Sequence, residues 1–219
     1  MLPYIGVRDD DARYLFVFDL RLEGVSDIDQ NLEIFVLDTE TTGLVGCPND
    51  HIVDVAVCRV RPYLGTVEPV MSTVVGHDVS KWPQDQREAW IFENTDLTLD
   101  DVMSATPAPF VAAELQSLLE GRMATSFNVK FDFDRFLYHR PWSLQGRMNL
   151  TPCIMLSSMP VCRIPGTYDQ YKWPRLQEAY DMLVDGDPAQ IGEEQRHRAL
   201  EDAVMASYVL IELIRRGLY

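Results

Sequence analysis

The order of strand-like and helix-like segments predicts an α/β fold with one mixed sheet and helices packed against it. Three β-rich apolar segments come first: Ile34–Asp38, His51–Val60 and Val67–Val75. Turn residues such as Gly43 and Gly65 separate them, which predicts an antiparallel meander. A fourth apolar segment, 123–127, follows a helical pattern and is therefore expected to be a parallel strand reached over that helix.

Helical patterns occupy most of the chain beyond residue 98. Thr98 is the predicted N-cap of a short helix over Leu99–Ser104, and Gly121 the predicted stop of a helix over Pro109–Leu119. Further helices are predicted over Phe131–Tyr138, Trp173–Val184 and His197–Arg216. The segment Cys153–Tyr171 has little periodicity, so a mobile loop is expected there.

Length and charge limit the possible functions. The chain has 219 residues, 47% of them hydrophobic, which is enough for one substantial core. We expect residues 32–219 to form the main domain and residues 1–31 an extension packed against it. With 34 acidic and 19 basic residues the net charge is −15. A protein that coats nucleic acid with a basic surface is therefore excluded, whereas an enzyme that binds nucleic acid locally through metal ions and a few arginines is not.

The cysteines and the first residues indicate a cytoplasmic protein. Cys47, Cys58, Cys153 and Cys162 form no C-x-x-C pair and no zinc-site spacing, so free thiols in a reducing compartment are expected. Residues 1–6 lack a basic leader region, and no apolar run reaches the length of a membrane span. We therefore expect no secretory leader and no membrane contact.

Two acids follow the first apolar strand. Asp38 and Glu40 are two residues apart, so on a strand their side chains point to one face, about 7 Å apart along the chain. Such a pair repels unless a cation lies between, and hard oxygen ligands suit Mg²⁺ or Mn²⁺. The alternative is a solvated turn in which Gly43 takes a positive φ. Acids elsewhere in the chain that could converge on the pair favour the metal site.

Those further candidates are Asp132, His197 and Asp202. Asp132 lies at the start of a predicted helix, where free N–H groups stabilise a carboxylate, and plain helix capping is the alternative. His197 and Asp202 are five residues apart, about 140° around an ideal helix. They can reach one site if His197 lies in the loop that enters the helix, where it could accept a proton beside a rigid ligand. The alternative is a solvent-exposed histidine.

These five residues lie in three motifs that together resemble the DEDDh (DnaQ-like) family of 3′→5′ exonucleases, which includes the proofreading epsilon subunit of bacterial replicative polymerase. The motifs read D-T-E-T-T-G-L from Asp38, N-V-K-F-D-F-D-R-F-L from Asn128 and H-R-A-L-E-D-A from His197. The resemblance implies a ribonuclease H-like fold with a mixed five-stranded sheet, antiparallel in its first three strands and flanked by helices. It makes residues 32–219 the exonuclease domain.

The resemblance also implies roles for individual residues. Two Mg²⁺ or Mn²⁺ ions, about 3.5–4 Å apart, would be held by four carboxylates. The four are Asp38, Glu40, Asp132 and Asp202. His197 would take the proton of the attacking water, Thr41 and Leu44 would contact the 3′-terminal nucleotide, and Asn128 would position the strand. The implied activity is that of a 3′→5′ exodeoxyribonuclease, which releases nucleoside 5′-monophosphates from 3′ ends of single-stranded DNA.

Two alternatives stay open. One is an RNA 3′→5′ exonuclease; oligoribonuclease-type relatives carry methionine in place of Thr41, which favours DNA. The other is a nucleic-acid-binding adaptor of the same fold without turnover, which should lack a carboxylate, whereas all four are present. A polymerase or a second copy of the chain is a possible partner. Because the chain ends soon after the last predicted helix, we expect no polymerase-gripping tail.

Overall fold

A five-stranded mixed sheet forms the centre of the fold. In the computed structural model, residues 31–167, 170–184 and 198–219 are described. The strands are β1 (Ile34–Thr41), β2 (Ile52–Arg61), β3 (Thr66–Val74), β4 (Met123–Ser126) and β5 (Asn149–Leu150). Their order is β3-β2-β1-β4-β5; β1, β2 and β3 are antiparallel neighbours, and β4 and β5 run parallel to β1. The predicted mixed sheet with three antiparallel strands is confirmed.

Helices precede and follow the parallel strands. They are α1 (Gln84–Arg87), α2 (Trp90–Asn94), α3 (Leu99–Ser104), α4 (Ala108–Leu119), α5 (Ile154–Cys162), α6 (Leu176–Leu183) and α7 (Ala199–Arg215). A 3₁₀ turn covers Val79–Lys81, and a π-helix covers Lys130–Leu137. The predicted extension over residues 1–31 lies, apart from Asn31, outside the described residues, and so does His197.

The centre of the sheet explains the apolar run before the first motif. Residues 34–37 of β1 are each at most 3% exposed, because β1 lies between two strands and is covered on both faces. A strand of this kind shows a continuous apolar run rather than an alternating one. The run becomes polar at Asp38, so two acids, Asp38 and Glu40, lie at the carboxyl end of the buried strand.

The capping residues act as the sequence predicts. The Thr98 side chain accepts a hydrogen bond from the Asp101 amide at 3.1 Å, and the Asp101 carboxylate accepts one from the Thr98 amide at 2.9 Å. This reciprocal pair is a capping box and begins α3. Helix α4 ends at Leu119, two residues before Gly121, whose φ of +71° favours glycine.

The segment predicted to be a loop, Cys153–Tyr171, contains a helix instead. Helix α5 runs over Ile154–Cys162 although Pro160 lies within it, and the next residue, Arg163, caps it with a φ of +49°. Its packing against α6 and α7 buries Ile154 and Cys162. Tertiary packing therefore overrides the proline, which is why a search for local periodicity missed this helix. The resemblance implies a fifth strand, but the two-residue segment that forms it, β5, was not located from the sequence.

The helix predicted over Phe131–Tyr138 is present as a π-helix. The Tyr138 amide donates to the Phe133 carbonyl at 2.9 Å, five residues back. Phe133 and Phe136 are fully buried and belong to the hydrophobic core. Because π-turns are rare and concentrate at functional sites, the position of Asp132 inside one favours a functional role for this residue.

Small side chains let α7 approach the sheet closely. Ala199 and Ala203 of α7 pack against Ala56 and Cys58 of β2, and all four are fully buried. Directly paired residues of neighbouring strands project to the same face, and Ala56 is paired with Asp38. Helix α7 therefore lies on the face of the sheet that carries Asp38 and Glu40.

Four cysteines lie within the described part of the chain, and all are free, as expected. Among the described residues, no helix is both long enough and apolar enough to cross a membrane.

Candidate active site

Three carboxylates converge on the face covered by α7. Asp38 and Glu40 come from β1 and Asp202 from the first turn of α7. Each offers one carboxylate oxygen such that these atoms lie within 4.8 Å of one another, and all three residues are half-buried. The close packing of α7 on β2 brings this convergence about, since Asp202 immediately precedes the buried Ala203.

Asp132 belongs to the same acidic region but is held differently. It is 3% exposed, and its Oδ1 accepts a hydrogen bond from the Thr39 hydroxyl at 2.7 Å. Thr39 lies between Asp38 and Glu40 on β1 and projects to the opposite face. Asp132 is outside the set of three converging oxygens, yet its charge raises the pKa of Asp38. The first two motifs are thus joined by a direct hydrogen bond.

Burial and mutual repulsion make ionisation of these acids unfavourable. Burial, followed by the charges of Asp132 and Asp202, raises the pKa of Asp38 well above its ordinary value. Burial, followed by the charge of Asp202, raises the pKa of Glu40 to about 9. Burial also raises the pKa of Asp132 to about 6, although the Thr39 hydrogen bond opposes the shift. Without a cation, the site therefore holds protons at neutral pH.

The donor set fits a divalent cation. Among the described residues, the three converging groups are carboxylates, whose oxygens are ligands that Mg²⁺ and Mn²⁺ prefer. A cation among them would offset the repulsion that raises the pKa of Asp38 and Glu40. The residues that could hold it are Asp38, Glu40 and Asp202, with Asp132 beside them.

A fifth acid at the site, Asp54, was not predicted as a site residue from the sequence. Asp54 of β2 is 2% exposed and lies directly opposite Glu40 in the strand register. Its Oδ2 accepts a hydrogen bond from Arg198 Nε at 2.7 Å. The available signal was an acid inside an apolar strand, because a buried carboxylate requires a partner.

The loop after β1 is held by its own polar contacts. The Asp50 carboxylate accepts hydrogen bonds from the amides of Val45 and Gly46 at 2.7 and 3.0 Å. Arg135, on the π-helix, donates to the carbonyl of Leu44. The Leu44 side chain itself is 73% exposed. The loop therefore presents an uncovered aliphatic side chain on a backbone fixed to the element that carries Asp132.

Thr41 and Asn128 both make local contacts. The Thr41 hydroxyl donates to the Gly43 carbonyl at 2.8 Å. The Asn128 Oδ1 accepts a hydrogen bond from the Phe131 amide at 3.3 Å. Each side chain thus shapes the turn in which it lies. His197 immediately precedes Arg198 in the chain but lies outside the described residues.

Comparison with solved structures agrees with this geometry at the level of the fold. The nuclease domain of 3′hExo, a DEDDh family member bound to rAMP, has a TM-score of 0.56 at 15% identity, covering 84% of this chain and 92% of that chain. E. coli Exonuclease I in complex with a dA16 oligonucleotide has a TM-score of 0.58 at 17% identity, covering 85% of this chain and 42% of that chain. The chain has the fold of DEDDh 3′-exonucleases.

Sequence comparison finds similarity to part of a larger exonuclease. No family model matches the chain. The 3′-5′ exonuclease DinG of Bacillus subtilis (strain 168) is 25% identical over 185 residues, which cover 83% of this chain. The chain spans only 17% of the length of DinG. This similarity therefore concerns one part of that larger protein.

Proposed function

We propose that this protein is a metal-dependent 3′→5′ exonuclease that hydrolyses the terminal phosphodiester bond of single-stranded DNA and releases nucleoside 5′-monophosphates. The observation that carries the proposal is the convergence of the Asp38, Glu40 and Asp202 carboxylates within 4.8 Å. It occurs in a chain with the fold of 3′-exonucleases. The three ordered motifs support the same activity.

In this proposal the acids hold two divalent ions, Mg²⁺ or Mn²⁺. Asp38, Glu40 and Asp202 are the direct ligands, and Asp132 supports the second ion. When bound, such ions lower the pKa of a coordinated water and stabilise charge on the phosphoryl oxygens. The rigid attachment of Asp38 and Glu40 to the central strand fixes the ligands relative to the scissile bond.

Other side chains have proposed roles at the substrate. His197 accepts the proton of the attacking water, as a group with an ordinary pKa of about 6.5 can do near neutral pH. The exposed Leu44 side chain packs against the 3′-terminal base, and the backbone near Thr41 meets the 3′-hydroxyl. Asn128 positions the strand.

One sequence feature assigns the substrate to DNA, whereas the similar structures include complexes with both DNA and a ribonucleotide. Thr41 stands where oligoribonuclease-type relatives carry methionine. Among the similar structures, Exonuclease I is in complex with a DNA oligonucleotide and the nuclease domain of 3′hExo is bound to rAMP. The comparisons therefore support a nuclease that acts at 3′ ends, and Thr41 is the feature that favours DNA over RNA.

The deciding experiment uses matched DNA and RNA oligonucleotides labelled at the 5′ end. The full chain should shorten single-stranded DNA stepwise from the 3′ end with Mg²⁺ or Mn²⁺, release 5′-monophosphates, and stop when EDTA is added. The control is Asp38→Ala, which should bind metal poorly and leave the label at full length. Faster shortening of RNA would replace the DNA assignment with the RNA one. No shortening of either substrate would overturn the exonuclease proposal.

The proposed proton acceptor is tested separately. Replacing His197 with alanine removes the general base but none of the carboxylates. We expect His197→Ala to lower the rate by about 10²–10⁴-fold while Mn²⁺ affinity and thermal stability stay at wild-type values. A variant with near-normal rate at neutral pH would show that His197 has no such role.

A further inference from the structure

Arg198 connects the start of α7 to two acids from other parts of the fold. Its Nε donates to Asp54 Oδ2 at 2.7 Å, and its Nη1 donates to Asp96 Oδ1 at 3.0 Å. Asp54 belongs to β2, and Asp96 lies between α2 and α3. Arg198 immediately precedes α7. Its guanidinium therefore connects the start of this helix to the sheet and to the segment before α3.

The two ion pairs differ in their surroundings. The Asp54 side chain is 3% exposed and the Asp96 side chain 62% exposed, with Arg198 itself at 27%. An exposed pair contributes little because water and salt screen it. A buried carboxylate that loses its partner is strongly destabilising, because its charge remains out of water. The Asp54–Arg198 pair therefore contributes most of the stabilisation that Arg198 provides.

Asp96 nevertheless gives the guanidinium a second fixed point. Its neighbour Leu97 is 1% exposed and belongs to a small hydrophobic cluster that includes Val53, the residue before Asp54. The backbone on both sides of the bridge is thus packed together independently of the bridge. The planar guanidinium of arginine has several N–H donors in fixed directions, so it can donate to both carboxylates at once. A lysine ammonium cannot match this geometry well.

The bridge lies directly beside the converging carboxylates. Asp54 is paired with Glu40 across the β1–β2 ladder, so the two side chains share a face. The amide of Asp202 donates to the carbonyl of Arg198 at 3.2 Å in the first turn of α7. A shift of Arg198 would therefore move Asp202 relative to Asp38 and Glu40. The positive charge of Arg198 also opposes the rise in the pKa of Glu40.

We propose that Arg198, through its bridge to Asp54 and Asp96, is a positioning residue that holds the first turn of α7 against β2 so that Asp202 meets Asp38 and Glu40. By the same contact, Arg198 pairs the buried charge of Asp54. The inference rests on the proposed function in that a bound metal ion is what the three acids are positioned for. Arg198 touches neither metal nor substrate in this role.

The test measures Mn²⁺ affinity by calorimetry on the full chain without substrate, together with thermal unfolding. Arg198→Gln should weaken Mn²⁺ binding by about 10–100-fold, the range for residues that orient metal ligands. The matched control is Arg59→Gln. Arg59 also pairs with two acids, Glu33 and Glu68, which are 25% and 55% exposed, but it lies near the other end of β2, so Mn²⁺ affinity should stay at the wild-type value.

A double variant separates positioning from general stability. Arg198→Gln alone leaves the Asp54 carboxylate buried without its cationic partner, so it should lower the unfolding temperature. Asp54→Asn combined with Arg198→Gln removes that unpaired charge and should recover stability while Mn²⁺ affinity stays weak. Arg198→Lys, which keeps the charge and is the safer variant to fold, should also bind Mn²⁺ more weakly than the wild type. In steady-state assays kcat should fall while KM for the oligonucleotide stays unchanged.

Two results would overturn the positioning role. One is wild-type Mn²⁺ affinity in folded Arg198→Gln or Arg198→Lys. The other is recovery of Mn²⁺ affinity together with stability in the double variant, because a purely structural role would give that result. A wild-type protein that binds Mn²⁺ but shortens no 3′ end would overturn the exonuclease proposal alone.

Discussion

Glu40 shows at the scale of one residue how burial prepares a site for a cation. Burial raises its pKa from an ordinary 4.5 to about 9, and the nearby charge of Asp202 adds to the shift. At neutral pH and without metal, the side chain is therefore protonated. A neutral side chain of the same shape should fit this environment as well as glutamic acid does.

The resulting prediction concerns Glu40→Gln. The variant should unfold at the wild-type temperature or higher without metal, because it removes a group whose ionisation is unfavourable when buried. It should lose most of the stabilisation that Mn²⁺ gives the wild type, because a carboxylate ligand is missing. Thermal unfolding with and without Mn²⁺ measures both effects. Glu68→Gln, which removes a carboxylate that is 55% exposed, is the control and should respond to Mn²⁺ like the wild type. Normal Mn²⁺ stabilisation of Glu40→Gln would contradict the ligand assignment.

Thr39 provides the second prediction at this scale. Its hydroxyl donates to buried Asp132 at 2.7 Å, and Thr39→Val removes the donor while keeping the shape. We expect a loss of about 1–3 kcal/mol in the free energy of unfolding, measured by urea denaturation without metal at pH 8. The pKa of folded Asp132 should rise above about 6. The loss should therefore shrink as the pH falls through that value and the carboxyl becomes protonated.

Thr39→Ser is the matched variant because it keeps the hydroxyl and loses only a methyl group. At pH 8 it should be more stable than Thr39→Val. Equal stability of the two variants would mean that the hydrogen bond to Asp132 contributes nothing.

At the scale of elements, the distance between α7 and β2 determines whether the acids meet. Ala203 is fully buried against the small residues of β2, so Ala203→Leu should push α7 away from the sheet. Overpacking of this kind costs about 1–3 kcal/mol, and Mn²⁺ affinity should fall because Asp202 moves with the helix. Calorimetry and urea denaturation measure the two effects. Ala113→Leu, at an exposed position of α4, should change neither. A destabilised Ala203→Leu with wild-type Mn²⁺ affinity would show that Asp202 does not depend on this packing.

Local sequence signals predict the elements that local forces determine. The apolar run of β1, the Thr98 cap of α3 and the residues of the three motifs are each visible within a few positions. Contacts across the fold are not. Thr39 and Asp132 are 93 residues apart, and Asp54 and Arg198 are 144 apart. Both contacts depend on strand register and on how closely a helix packs, neither of which a single sequence shows. Helix α5 was missed for the same reason, since packing stabilises it despite Pro160.

At the scale of the whole molecule, a polyanionic enzyme is proposed to act on a polyanionic substrate. The net charge of −15 repels nucleic acid at long range, so binding must come from the bound cations and short contacts near the site. This arrangement links nucleic-acid binding to metal loading. Nucleic-acid binding should therefore also depend on the protonation state of the acidic cluster, because protons compete with the metal.

The last prediction is the pH dependence of metal-induced stabilisation. Folded Glu40 keeps its proton up to about 9, whereas the unfolded chain releases it near the ordinary value of 4.5. Between these values the metal-free folded state binds more protons than the unfolded state, so this group contributes stability at low pH that is lost as the pH rises. Metal must displace these protons, so Mg²⁺ binding should tighten over the same window.

The increase in unfolding temperature caused by a fixed Mg²⁺ concentration should therefore grow steadily from about pH 5 to about pH 9 at constant ionic strength, because Mg²⁺ competes with protons only for the folded protein's ligands. Calorimetry in buffers of different ionisation enthalpy should show proton release when Mg²⁺ binds at neutral pH. In Glu40→Gln the growth with pH should be smaller, because one of the competing protons is absent. Stabilisation by Mg²⁺ that stays constant or declines over this pH range would contradict the raised pKa of the site.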